Sequence, residues 1–383
     1  MMKRTYILLC CIMTLLVNCR EKYILPDVGP AAGFLVVEGV INSAGGKTII
    51  KLSRSVKLAE ANGLVPEESA GVYVEGSDNS HQQLIETGNG VYTNDQLIIN
   101  PAQQYRLVIT ANDGKVYQSD YSSVVKSPPI DQITWQRKNG GVEIFVNTHS
   151  NTGLKYYRWD FDETWEFHSR YFSYLKFLYN QQNEPIDVAE RSIDEAKNMY
   201  YCWKTEPSTS LLIGSTAQLS RDSIHLPIHY IEPQSWKLSV KYSINVRQYA
   251  LSVDEYEFLR RMKKNTEQVG SLFDAQPSEL VGNIHCINNP AEMVIGFVSV
   301  ADVMEKRIFI DKSEVPDWEY YENCEEIEVP NIPDSLIQVV GNIPTSVVKY
   351  RIGRPGIERF NISTPFCADC TVRGSNQKPA FWP

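Results

Sequence analysis

The sequence predicts a mainly β protein in two parts: an immunoglobulin-like β-sandwich over residues 34–128, then a larger β-rich α+β domain over 129–383 with at least one helix. Three observations predict it. Short β-branched runs punctuated by Gly, Asn and Asp fill residues 34–117. Two longer stretches, 157–167 and 236–246, alternate apolar with polar residues, the period of a half-buried strand. One capping sequence at 252–255 then switches the period to that of a helix. A chain of 383 residues also exceeds what a single core normally serves, so two bodies are the default.

In the first part, residues 34–41 (FLVVEGVI) form one strand, and 47–52 alternate as a second after Ala44-Gly45-Gly46. Residues 72–75 and 82–86 follow, and Gly88-Asn89-Gly90 turns into Val91-Tyr92. Residues 105–109 and 116–117 flank Asn112-Asp113-Gly114, a hairpin signal because those residues tolerate positive φ. About seven strands in so short a span suggest the sandwich. Ser127-Pro128-Pro129 marks its end.

In the second part, residues 142–146 read as a strand. Tyr157, Trp159, Phe161, Trp165 and Phe167 share one face of the next, with Arg158, Asp160, Asp162, Thr164 and Glu166 on the other. Trp236, Leu238, Val240, Tyr242, Ile244 and Val246 repeat the pattern, with Lys237, Ser239, Lys241, Ser243 and Asn245 facing out. Ser252-Val253-Asp254-Glu255 is a capping box that opens a helix carrying Tyr256, Leu259 and Met262 on one stripe. Arg260, Arg261, Lys263 and Lys264 suit the negative end of its dipole. Residues 293–300 and 307–310 add strands to this second domain.

The N-terminus gives an address. Lys3 and Arg4 precede an apolar run over 6–17, shorter than the roughly 20 residues that span a bilayer. An export signal over 1–18 is therefore expected. Leu16-Val17-Asn18-Cys19 resembles the lipobox of bacterial lipoproteins, which implies acylation of Cys19 and a membrane anchor. Residues 19–33, with Pro26, Gly29, Pro30 and Gly33, read as a tether. The formal charge is −9, with 37 Lys+Arg against 46 Asp+Glu and no basic block. That excludes a nucleic-acid binder, whose affinity rests on neutralising phosphates.

Export makes disulfides reasonable among Cys202, Cys286, Cys324, Cys367 and Cys370. Cys324 with Cys367 or Cys370, and Cys202 with Cys286, are the expected pairs; an odd thiol is left over. Cys367-Ala-Asp-Cys370 has redox or half-zinc spacing but lacks the flanking strand and helix, or the second ligand pair, that either use needs.

Catalytic signatures are scarce, and neither metal nor cofactor is expected. His225 and His229 straddle Pro227, and one strand supplies too few ligands for zinc; His285 beside Cys286 is no stronger. Asp160, Asp162 and Glu166 could supply acid–base carboxylates, but glycosidase-type pairs come from separate strands in a cleft, so a solvated face is expected. Residues 314–328 hold seven acids among Trp318, Tyr320 and Tyr321, an exposed acidic loop with some rings docked inward.

Several segments resemble one family, the Bacteroidota lipoproteins carrying the domain of unknown function 4249 (DUF4249). They include FLVVEG (34–39), YRLVITANDGKVYQSD (105–120), PPIDQITW (128–135), KYYRWDFDETWEF (155–167), YSINVRQYALS (242–252) and GNIHC (282–286). The most specific is the tail CADCTVRGSNQKPAFW (367–382), whose Asp369, Arg373, Gly374, Asn376 and Lys378 match a family ending of unknown role. The resemblance implies an outer-membrane lipoprotein acting beside a TonB-dependent nutrient-uptake receptor, with no catalytic residues to carry over. A lipid-anchored hydrolase and a structural or adhesive envelope protein are the alternatives.

Overall fold

The structure, a computed structural model, describes residues 33–56, 64–182, 184–267, 280–340, 346–352 and 356–383. The expected signal segment, Cys19 as the expected acylation site, and all but the last residue of the expected tether lie outside the described residues. The protein is mainly β, with a few short helices.

The first body begins with β1 (Leu35–Asn42), β2 (Thr48–Arg54), β3 (Val65–Pro66), β4 (Gly71–Gly76), β5 (His81–Gly88), β6 (Val91–Asn94), β7 (Gln104–Thr110), β8 (Val116–Ser119) and β9 (Ser122–Val125). Strict alternation places Leu35 and Val37, Val72 and Val74, and Tyr105, Leu107 and Ile109 in one core. The hairpin signal at 112–114 is used as expected. Gly114 adopts φ +82°, and the Ala111 and Lys115 backbones close the turn.

Strand order follows the immunoglobulin-like pattern, β1-β2-β6 on one side and β4-β7-β8 on the other. The two sides are not separate sheets. The first half of β5 pairs with β4 and the second half with β6, across a register shift near Glu86. The sheet is therefore continuous and barrel-like.

The second body opens with β10 (Ile130–Lys138), β11 (Gly141–His149) and β12 (Tyr156–His168). An excursion through β13 (Leu175–Tyr179), β14 (Pro185–Glu190) and α1 (Ile193–Tyr200) follows, then β15 (Tyr201–Pro207), β16 (Leu212–Ser215), β17 (Ser223–Ile231), β18 (Lys241–Ala250) and α2 (Val253–Glu267). Sheet β10-β11-β17 faces a second sheet in which β12 and β18 are central. Between them lies an aromatic core of Tyr157, Trp159, Phe161, Trp165 and Phe167, the face read from the alternation.

The second alternating stretch is only partly a strand. Trp236–Leu238 is a 3₁₀ turn, started by Ser235, whose hydroxyl accepts from the Lys237 amide. Trp236 then packs edge-on against Trp165 and Phe167. Ser243 and Asn245, expected outside, are buried, because the outer face is covered and the Arg307 and Glu305 side chains bond to them.

Another correction concerns residues 284–301. β19 (Ile284–Cys286), β20 (Val294–Gly296) and β21 (Val300–Ala301) belong to the first body, not the second. β19 extends β8 antiparallel, β20 runs parallel to β1, and β21 lies parallel between β1 and β9. Because β9 also pairs with β7, the ring closes. Tyr117 Oη donates to Glu292 at 2.6 Å, pinning the returning segment to β8. Local periodicity shows that a strand exists and not which sheet receives it, so the boundary at residue 128 describes only part of this body.

The chain then re-enters the second body as β22 (Val303–Asp311), antiparallel to β18. The junction at 126–129 is bonded on both sides: the Ala250 amide donates to Ser127 Oγ, and Gln248 Nε2 donates to the Pro128 carbonyl. A last layer comprises β23 (Ile327–Pro330), α3 (Pro333–Val340), β24 (Ser346–Ile352), β25 (Ile357–Ser363) and α4 (Pro365–Ala368). With β13 and β14 it buries Leu175, Phe177, Leu336, Val347, Phe360 and Ile362.

Candidate functional site

The polar face of β12 does not simply meet solvent. It forms, with β18 and β22, one wall of a cleft of about 780 Å³ whose opposite wall is β1 and β2. Asp160 stands opposite Arg247 in the β12–β18 ladder. The Arg247 guanidinium takes both neighbouring carboxylates, donating from Nε to Asp160 and from Nη1 to Asp162. Two acids committed to one cation are counter-ions rather than an acid–base pair. Glu166 lies further along the strand and accepts from the Trp382 indole at 3.0 Å.

Arg158 also lines the cleft, its guanidinium 4.2 Å above the Tyr249 ring. Asp160 is the nearest carboxylate, at 3.9 Å. Beside it α2 carries Glu255. The Glu255 amide donates to Ser252 Oγ at 3.1 Å, half of the expected capping box. Its carboxyl does not return to the Ser252 amide. Instead it shares a helical stripe with Phe258, Leu259 and Met262 and is buried between the two bodies. Burial pushes this carboxyl up to about 7, against the opposing pull of Arg158. Arg260 pairs with Glu257 along the helix, and Lys263 Nζ donates to the Leu211 carbonyl on the neighbouring segment.

A second buried carboxylate escaped the sequence reading. Glu163 has the same parity as Trp159 and Trp165, so it points into the aromatic core. Lys237 Nζ donates to Oε1 at 2.5 Å and Tyr242 Oη to Oε2 at 3.1 Å. His229 Nε2 is 3.1 Å from Oε2, an ion-pair distance off the hydrogen-bonding line. Burial pushes the Glu163 carboxyl up, but His229 and Lys237 outweigh that and hold it below the usual range. The signal was the odd-numbered phase of β12, whose one charged member was Glu163. His225 instead stacks on Phe145 at 4.5 Å, so the two histidines share β17 but not a site. His285 pairs with Asp120 at 3.3 Å. Among the described residues, no group of three or more His, Cys, Asp or Glu is placed to hold a metal.

The cysteines pair differently from expectation at one point. Cys324 bonds to Cys367, but Cys202 bonds to Cys370, and Cys286 is a buried free thiol on β19. The correction follows from the returning segment, which carries Cys286 into the first body and away from Cys202. The two halves of the Cys-x-x-Cys thus serve different partners, and in this state do not form one redox pair.

Around them the tail motif builds a latch. Asp369 caps a short 3₁₀ turn by accepting from Thr371. Arg373 pairs with the buried Glu322 and lies over the rings of Phe366, Phe167 and Trp236. Gly374 is pressed so closely that an added Cβ would meet the Trp203 carbonyl at 2.7 Å. Asn376 accepts from Gln377 Nε2, and Lys378 Nζ donates to the Pro383 oxygen. In the acidic loop, Trp318 is docked inward while Tyr321 stays exposed.

The family model described as "Domain of unknown function (DUF4249)" matches residues 21–307. No curated protein matches the chain. One similar solved chain, "Cytokine receptor complex - Crystal form 1A", is 13% identical, with 56% of this chain and 84% of that chain covered and a TM-score of 0.19. Another, the chicken interferon gamma receptor alpha chain, is 11% identical, with 58% and 90% covered and a TM-score of 0.14. Scores of that size carry no argument about fold or function.

Proposed function

The chain belongs to the DUF4249 family, and on that premise we propose that it is a lipid-anchored outer-membrane protein, a non-enzymatic ligand-binding accessory of a TonB-dependent nutrient-uptake receptor. The observation that carries the reading is the cleft between the two β bodies, whose neighbouring acids Asp160 and Asp162 are committed to Arg247. A cleft of about 780 Å³ is the size in which small ligands are held. Two disulfides pinning the tail suit a compartment outside the cytoplasm. The lipobox-like Cys19 supplies the anchor.

Two measurements test this. Mass spectrometry of the native protein should find acyl chains on Cys19. Cross-linking in its own membrane should recover a TonB-dependent receptor. A bare Cys19 thiol, or cross-links that contain no receptor, would overturn the proposal.

A further inference from the structure

The cleft is lined by charges of both signs, and among the described residues several of them make no hydrogen bond. Glu38 and Lys51 face each other across the β1–β2 ladder, and neither has a hydrogen bond or ion pair to another described residue. On the opposite wall Arg158 donates no hydrogen bond to a described residue, and its nearest carboxylate is already held by Arg247. The lining also offers apolar side chains among its polar ones: Ile49 is 43% exposed, and Leu211 and Met262 also line the cleft.

A site for a simple anion would gather cations alone. Here Glu38, with no hydrogen bond to a described residue, and Arg158, held only by the 3.9 Å contact to Asp160, flank apolar side chains, and the complementary solute has both charges with a short apolar body between them. We propose that the cleft binds a short zwitterionic peptide, its carboxylate on Arg158, its ammonium on Glu38 and its apolar side chains over Ile49, Leu211 and Met262. A guanidinium stacked on Tyr249 is pre-oriented to present a planar fork to a carboxylate. Lys51, beside Glu38, keeps that wall from being a plain cation site. This assignment rests on reading the cleft as a ligand site.

The test is isothermal titration of the full chain, purified in detergent, with four forms of Ala-Leu-Ala: free, C-terminally amidated, N-acetylated, and blocked at both ends. The free peptide should bind, and blocking either end should weaken it about tenfold or more. Arg158→Gln should erase the difference between acid and amide, and Glu38→Gln the difference between amine and acetyl, each with an unchanged circular dichroism spectrum. Equal binding of all four forms, no binding at about 10 mM, or variants that keep both differences would overturn the assignment. The titration needs no receptor, so the two readings fail separately. A flat titration beside a recovered receptor removes the peptide alone, and peptide binding without a recovered receptor removes only the uptake role.

Discussion

Replacing Glu255 with glutamine should stabilise the protein, and by an amount that grows with pH. The carboxyl is buried between the two bodies, and its pKa rises from 4.5 to about 7 on folding. The folded chain therefore keeps a proton that the unfolded chain releases, so stability falls as pH rises from 4.5 to about 7 and is level beyond. At about 1.4 kcal/mol per unit the full penalty is about 3 kcal/mol. Near pH 5 less than about 1 kcal/mol of it has developed. Glutamine has nearly the same shape and stays neutral throughout. Glu255→Gln should thus gain about 3 kcal/mol near pH 8 and under about 1 kcal/mol near pH 5. Urea unfolding followed by tryptophan fluorescence, with disulfides intact, reads both values. A gain that is the same at the two pH values, or a loss near pH 8, would refute the reasoning. Either result would mean that Glu255 is charged and that Arg158 compensates its burial fully.

Three further outcomes are expected. Glu163→Gln should destabilise by about 3 kcal/mol near pH 7, by removing the buried carboxylate beside Lys237 and His229 and leaving Lys237 only the longer contact to Glu206 at 3.8 Å. Because the Glu163 pKa is depressed, its stabilising effect fades as pH falls through the carboxylate range, so the difference from wild type should shrink toward pH 4 in the same urea assay. Removing the long link by a Cys202→Ser, Cys370→Ser double substitution should cost about 4 kcal/mol, checked by calorimetry against the oxidised chain. Gly374→Ala should lower the melting temperature by forcing a methyl against the Trp203 carbonyl and the Phe167 ring, and should free the tail to proteolysis, read by limited digestion.

Much of the strand content was legible because a two-residue period is a local property. The aromatic face of β12 could be read from its alternation, although Thr164, expected on the outer face, is fully buried, and the turn at 112–114 carried its own chemistry. What the sequence could not display was long-range assignment. Residues 284–301 look like any short strands, and only pairing with β1, β8 and β9 reveals their sheet. The mistaken Cys202–Cys286 link is the same error in another form. At the cleft, Asp160 and Asp162 were visible as acids on one face. Their shared cation, Arg247, sits on a neighbouring strand and could not be paired with them from spacing. Glu163 was hidden differently: it occupies an apolar phase, where a charged residue is easily passed over, whereas Glu255 was visible as a capping residue but its burial was not.

The stitch by which Val300 settles against Val124 and Ile41 has a consequence for biogenesis. A ribosome delivering this chain finishes the opening strands long before the piece that seals them, so the first body waits half-built while the second is made. Fragments cut at the apparent border should be sticky orphans with a raw β1 rim. Anyone seeking to express the halves separately would do better to keep the polypeptide whole.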